Sequence, residues 1–402
     1  MKKIMVNTLK PGTAYSKPLY LDQDNVFLKA NEKITQSDIE RLAKWNISYV
    51  LCDGEVVKGN PKTSFDDSFL ESASDEQQKS LQEIQANLKA TYKNKSSFQS
   101  FMMEAEKSLT EAYTEIYNKK PYQISLIRNL AEKLTDQLNQ CPYCFMPVCF
   151  PNNRVNVVLH VITASLYGSI LANALGYSRP RINELVQGML LMDIGMQEIP
   201  EGILNKPEPL TDSDKKRIQR HPIMGYQLLT QEAKVKNVIA TVSLEHQEHY
   251  DGTGYPRALK SDKVSEFSKI AQIADSFTAI IENKPYRKKK LPYEAMKELL
   301  ALGIYRYDPK FLKEFLGALS IYPIGSVVEL SDNSVGIVVG SVKEKPMRPV
   351  ILLMRDESQR KIDKPRFVHL LHQTDKYILK AHSPVDLGLM LEAELAALLK
   401  VL

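Results

Sequence analysis

The chain has 402 residues, 43% of them hydrophobic, which is enough to bury a sizeable core in more than one domain and excludes a disordered tail. Its 53 basic and 48 acidic residues leave a formal net charge of +5, too balanced to argue for nucleic-acid binding on charge alone. No secretory signal is read at the start, and the longest apolar stretch, 155–175, is interrupted by Asn156, His160, Thr163, Ser165, Ser169 and Asn173, so a cytoplasmic protein without membrane insertion is expected.

Residues 1–57 read as a small α+β accessory unit. IMVNTL and PLYLDQDNVFLKA alternate apolar and polar residues around a Pro11-Gly12 turn. In TQSDIERLAKWNISYVL, Thr35 and Asp38 have the spacing of a capping box, Ile39, Leu42 and Ala43 share a helical face, and ISYVL returns as a strand. Residues 58–80 are rich in Lys, Asn, Pro, Ser, Asp and Glu and read as a linker. From there to residue 120 a weak apolar periodicity, carried by Leu81, Ile84, Leu88, Phe98, Phe101, Met102 and Leu109, predicts connecting helices. These are candidates for a coiled segment and for a homodimer, although the heptad pattern is irregular.

Residues 121–320 are helical by pattern: QISLIRNLAEKLTDQL, VVLHVITASLYGSILANALG, INELVQGMLLMDIG, TDSDKKRIQRHPIMGYQLL, VKNVIATVSLEHQEH, KIAQIADSFTAIIE and PYEAMKELLALG each carry i, i+3, i+4 apolar spacing. Residues 321–402 change texture. GSVVELSDNSVGIVVGS and RPVILLMRD alternate as strands about Asp332-Asn333, and LGLMLEAELAALLKVL closes the chain as an amphipathic helix. The fold class is therefore mainly α: a helical bundle between a small N-terminal α+β unit and a small C-terminal β module. The cysteines of CPYCFMPVC (Cys141, Cys144, Cys149) and Cys52 lack the second pair of a zinc site and read as buried thiols. The basic run Arg287 to Lys290 reads as a solvated loop.

The chemistry-bearing residues are spread one to a helical segment: His160, Asp193, His221, His246 and Asp275. Hydrolysis assisted by a metal needs imidazoles and carboxylates that converge from several elements and leave a position open for water. Taken singly, each has a plainer reading. His160 lies among valines and could be a hydrogen-bonded core residue, Asp193 could cap a turn before Gly195, and His221 could end a helix. His246 could face solvent beside Glu245 and Glu248, and Asp275 could pair with a lysine. Recurrence at regular intervals, in a chain with seven histidines, favours a joint site.

HPIMGYQLL, HQEHYDGTGYPRAL, KIAQIADSFTAI and NKPYR together resemble the HD-GYP family, a branch of the HD superfamily of metal-dependent phosphohydrolases that degrade cyclic di-GMP. The resemblance covers about half of the chain. LKPG...PLYLDQDNVFL and YPIGSVVELSDNSVGIVV resemble segments that accompany the domain. It implies a divalent cation, Fe or Mn, cyclic di-GMP as substrate, pGpG as product and a GGDEF-type cyclase as protein partner. His160, Asp193, His221, His246 and Asp275 match its metal-ligand positions, with Asp193 the catalytic, metal-bridging carboxylate. Tyr255, Pro256 and Arg257 match its substrate-binding turn.

Four positions depart from the family pattern. Met192 and Gln247 stand where it has histidine, Met196 where it has a phosphate-contacting lysine, and Asn156 where some members carry a glutamate. A thioether is a soft, weak ligand for a hard cation, and an amide brings neither charge nor imidazole basicity. Replacing the lysine removes a charge that would offset a phosphodiester. A signalling protein that binds the nucleotide or docks a partner with impaired catalysis is expected; the alternative is an active phosphodiesterase with a reduced metal complement.

Overall fold

Alternation near the N-terminus produces four short strands, β1 (Lys2–Met5), β2 (Leu19–Tyr20), β3 (Val26–Leu28) and β4 (Tyr49–Cys52), antiparallel in the order β1-β4-β2-β3. Leu19, Leu28, Val50 and Cys52 bury against Leu9, Ile34 and Leu42. The Thr35–Asp38 capping box forms: Thr35 N donates to Asp38 Oδ2 at 3.0 Å and Asp38 N to Thr35 Oγ1 at 3.1 Å. The computed structural model describes residues 2–20, 26–28, 34–36, 38–39, 42, 47–56, 75–120, 122–144, 156–282, 289–342 and 345–401. It divides into two compact units, Met1–Ser74 and Asp75–Leu402. Most of the expected linker, along with Cys149, Arg287 and Lys288, lies outside the described residues.

The second unit opens with a correction to the sequence reading. In place of several connecting helices, Asp75–Tyr117 is one helix of 43 residues, α1. Leu81, Ile84, Leu88, Thr91, Lys95, Phe98, Met102, Ala105, Leu109, Ala112 and Ile116 are all buried, in an unbroken alternation of three- and four-residue steps. The repeat looks irregular in the sequence because two of its seats are polar. Both seats are used: Thr91 Oγ1 accepts from Tyr143 N at 3.0 Å, and Lys95 forms an ion pair with Glu392.

Among the described residues ten helices lie between α1 and the C-terminal sheet: α2 (Ser125–Gln140), α3 (Val157–Ala174), α4 (Arg179–Leu191), α5 (Glu201–Leu204), α6 (Asp212–Ile218), α7 (His221–Gln227), α8 (Asn237–Glu245), α9 (Glu266–Ile281), α10 (Pro292–Arg306) and α11 (Pro309–Leu319). The segment TDSDKKRIQRHPIMGYQLL is thus two helices, with Pro222 in the first turn of α7, where its missing N–H costs nothing. His221 opens that helix rather than ending one. Helix α3 is apolar and long enough to cross a membrane, yet 72% of it is buried inside the fold, where α4, α9 and α11 surround it.

The C-terminal module is an antiparallel sheet of β5 (Val327–Leu330), β6 (Val335–Gly340), β7 (Val350–Arg355), β8 (Phe367–His369) and β9 (Ile378–His382) in the order β8-β7-β6-β5-β9. The closing helix is α12 (Leu391–Val401), and Glu394 on it takes a bidentate bond from Arg355. The sheet shares one apolar core with the helices, and Ile84 of α1 lies over Gly340. Cys52, Cys141 and Cys144 are buried free thiols. Because Phe98 sits fully buried mid-seam, Phe98→Ala is expected to cost about 3–5 kcal/mol, measured by urea denaturation of the full chain.

Candidate metal centre

Five helices deliver the five candidate ligands to one place. His160 lies in the first turn of α3, Asp193 just beyond the end of α4, His221 at the start of α7, His246 at the end of α8 and Asp275 within α9. Small residues allow the approach. A Cβ on Gly195 would overlap the His221 carbonyl oxygen and come within 2.6 Å of Gly225 N, so glycine there lets α7 close on the chain after Asp193. The last carbonyls of α4 would otherwise be orphans. Tyr113 on α1 donates its hydroxyl to Leu190 O at 2.8 Å, and Ser243 on α8 donates to Met192 O at 2.7 Å. Both bonds are buried and fix the backbone that carries Asp193.

Asp193, His221 and His246 form the tighter group. His221 Nε2 and His246 Nε2 are 3.1 Å apart, and each is 3.3 Å from Asp193 Oδ1. The far nitrogens are committed: His221 Nδ1 donates to Ile218 O at 2.7 Å and His246 Nδ1 to Ser243 O at 2.9 Å. Backbone carbonyls only accept, so both Nε2 lone pairs are turned inward, the arrangement that orients metal-binding histidines. Asp193 Oδ1 is buried without a hydrogen-bond partner. A polyhedron with metal–ligand bonds of about 2.1 Å has edges of about 3.0 Å if octahedral and about 3.4 Å if tetrahedral, which brackets the observed spacings. Two imidazoles, one carboxylate and an orphaned oxygen fit a divalent cation with open positions.

The charges follow from burial and neighbours. Burial lowers the His221 ring to about 4, overcoming the attraction of Asp193, so this ring is neutral at pH 7. Burial also opposes charge on His246, but Asp193 outweighs it and holds that ring above its usual value. Burial would raise the Asp193 carboxyl; His246, with His221 and His160 behind it, holds it well below the carboxylate range.

His160, Asp193 and Asp275 form a second group with ligand atoms within 4.8 Å of one another. Here His160 is clamped: Nε2 meets Asp275 Oδ1 at 2.7 Å and Nδ1 meets Glu282 Oε2 at 2.8 Å. Burial opposes its charge, but Glu282 and Asp275 outweigh burial and raise the ring to about 10. Gln247 Nε2 donates to Asp275 Oδ2 at 3.2 Å. Met192 is fully buried in the apolar core, and Met196 is half-buried in the turn after Asp193. Asn156 caps α3, its Oδ1 accepting from Leu159 N and its Nδ2 donating to Glu106, both at 2.6 Å.

The DGTGYP turn is anchored by two buried glutamates to which the sequence reading gives no role. Glu248 is fully buried and accepts from Arg257 N at 2.7 Å and Leu259 N at 2.8 Å; Glu245, also buried, accepts from Ser265 N at 2.8 Å and pairs with the Arg257 guanidinium. Gly254 packs against the backbone of Glu248 and His249 with no room for a Cβ. Tyr255 presents its ring edge-on to His221, centroids 6.4 Å apart, with Pro256 beside it. A separate cleft of about 1150 Å³ opens at the N-terminal ends of α4 and α8 and contains none of the candidate ligands. Tyr113, Ser243, Glu245, Glu248 and Glu282 escape a sequence reading because each acts through a partner distant in the chain; the run EHQEH is the visible signal for Glu245 and Glu248.

Residues 153–311 match the model of the HD domain, and residues 327–389 that of the KOW domain associated with HD domain. A helical bundle with histidine and aspartate ligands converging from successive helices is thus an HD domain. Among curated proteins, a cyclic di-GMP phosphodiesterase of Pseudomonas aeruginosa is 32% identical over 181 residues, 45% of this chain and 44% of that one. One of Borreliella burgdorferi is 31% identical over 194 residues, 48% of this chain and 51% of that one. These matches support the HD-GYP reading of the helical region, and the chain spans about half the length of the curated relatives it matches. A solved HDG"Y"P protein from Bdellovibrio bacteriovorus superposes with a TM-score of 0.45 at 16% identity, over 78% of this chain and 97% of that one.

Two outcomes follow from this geometry. Gly195→Ala should push α7 away from Asp193 and weaken Mn²⁺ binding by about 10–100-fold, read by competition with a chromophoric chelator. Mn²⁺ affinity should also rise with pH through and beyond the ordinary histidine range. The ion requires the His246 proton to leave, and that ring holds its proton to a higher pH than usual, whereas His221 is already neutral. Calorimetry in buffers of different ionisation heat would measure the proton released.

Proposed function

We propose that the chain is a cyclic di-GMP signalling protein that binds the nucleotide beside a divalent cation, Fe or Mn, held by Asp193, His221 and His246, with hydrolysis strongly reduced. The observation that carries this reading is the fate of two family ligand positions. Met192 offers only a core-buried thioether, and the Gln247 amide turns its N–H toward Asp275. Met196 leaves the phosphate without the cation that the family resemblance expects there. The relatives named above are phosphodiesterases by name, which supports the nucleotide as ligand.

In this reading Tyr255 and Pro256 form the wall that the nucleotide meets beside His221, and Arg257 reaches it from its pair with Glu245. When bound, the cation would polarise a phosphodiester oxygen or a water. The protein's own part is to hold Asp193 ionised, keep His221 neutral and present the DGTGYP turn in a fixed shape. The exposed residues of that turn, Thr253 and Arg257 among them, offer a docking surface for a GGDEF-type cyclase. We assign residues 1–57 to an accessory unit, 58–120 to the connection, 121–320 to the HD-GYP-like domain and 321–402 to the β module, in a cytoplasmic protein.

A second reading, an active phosphodiesterase with fewer metals, is favoured by the complete Asp193–His221–His246 group. The two are separated by measuring cyclic di-GMP binding and pGpG formation on the same Mn²⁺-loaded sample. The expected result is binding with turnover at least about 100-fold below that of a Met192→His/Gln247→His variant. Comparable turnover in the two proteins, abolished by Asp193→Ala, would establish the second reading instead.

A further inference from the structure

The two halves of the ligand cluster differ in how their polar atoms are spent. In the Asp193–His221–His246 half, the inward nitrogens meet only each other, at 3.1 Å, and Asp193 Oδ1, at 3.3 Å, an oxygen otherwise buried without a partner. In the other half each polar atom already has a partner within the protein. His160 Nδ1 lies on Glu282, His160 Nε2 on Asp275 Oδ1, and Asp275 Oδ2 receives the Gln247 amide. We propose that this chain holds a single divalent cation, at Asp193, His221 and His246, and that the space of a second cation is closed by a continuous side-chain bridge, Glu282–His160–Asp275–Gln247.

The distances distinguish a bridge from a second metal pocket. A carboxylate on the far nitrogen can equally orient a metal-binding histidine, so Glu282 alone decides nothing. The near nitrogen decides it. His160 Nε2 and Asp275 Oδ1 are 2.7 Å apart, a direct hydrogen-bond contact, shorter than the octahedral edge of about 3.0 Å for bonds of about 2.1 Å. In the first half the corresponding separations are 3.1 and 3.3 Å.

Gln247 reinforces the closure. A carboxylate only accepts, so the amide must face Asp275 with its nitrogen, placing a donor where a cation would need a lone pair. Met192 supplies no replacement ligand, because it is sealed in the apolar core. A second cation would have to part His160 from Asp275 and expel the amide. Glu282 and Gln247 thereby become the residues that set metal stoichiometry in this chain.

The inference rests on the reading of the first group as a cation centre, and the experiment separates the two. The full chain is stripped with chelator and titrated with Mn²⁺, following bound metal by equilibrium dialysis and the ion's environment by electron paramagnetic resonance. One Mn²⁺ per chain is expected at saturation, with the six-line signal of an isolated ion. Asp275→Asn, which keeps size and shape, should retain one Mn²⁺ with affinity within about threefold, whereas His246→Gln should weaken it by about 100-fold. Circular dichroism and thermal melts identify variants that fold, and the wild-type stoichiometry stands as a test without them. Two Mn²⁺ per chain with an exchange-coupled signal, falling to one in Asp275→Asn, would overturn the single-cation proposal while leaving the cation centre intact. No bound Mn²⁺ would overturn both.

Discussion

Two imidazole nitrogens and a carboxylate oxygen, all within 3.3 Å and almost wholly out of water, repel one another unless a proton or a cation stands among them. The architecture around them reads as a means of holding that arrangement. Carbonyls at Ile218 and Ser243 fix the histidine rings, hydroxyls of Tyr113 and Ser243 tie down the last carbonyls of α4, and Gly195 gives α7 room to approach. These supports come from three different helices and from the turn after α4, so the site is a property of the whole bundle rather than of a single motif.

The turn that follows His246 is held by a separate set of forces. Glu245 and Glu248 satisfy its backbone N–H groups and balance Arg257, while Gly252 and Gly254 meet the geometry of the bend. None of these interactions involves the side chains of residues 192, 196 or 247. The anchoring of the turn therefore does not depend on the side chains at 192, 196 and 247.

Much of this was legible in the sequence because helix periodicity and the order of histidines and aspartates survive translation into one dimension. His160, Asp193, His221, His246 and Asp275 do come together, and the mainly helical course of the chain, with strands near each end, follows its hydrophobic pattern. What stayed hidden has a common cause, in that it depends on partners far apart in the chain. Glu282 meets a histidine 122 residues away, and Tyr113 meets a carbonyl 77 residues away. Glu245 and Glu248 have no role legible in the sequence, because nothing local announces that a loop nine or more residues later will fold back onto them. The α1 repeat looked broken because Thr91 and Lys95 are polar by type yet buried by their pairings.

Helix α1 also sets the bearing of one part of the unit upon another. Leu81 and Ile116 lie five full heptads apart on one continuous buried stripe, which reaches the β module where Ile84 lies over Gly340. Adding or removing a single residue between them would swing one end of the stripe by about 100° around the helix axis and shift it by about 1.5 Å. Exposed side chains on the back of α1 can be exchanged freely, but its residue count can change only by whole heptads. Helix length, rather than the identity of its surface, is the heritable quantity on which the placement of the β module depends.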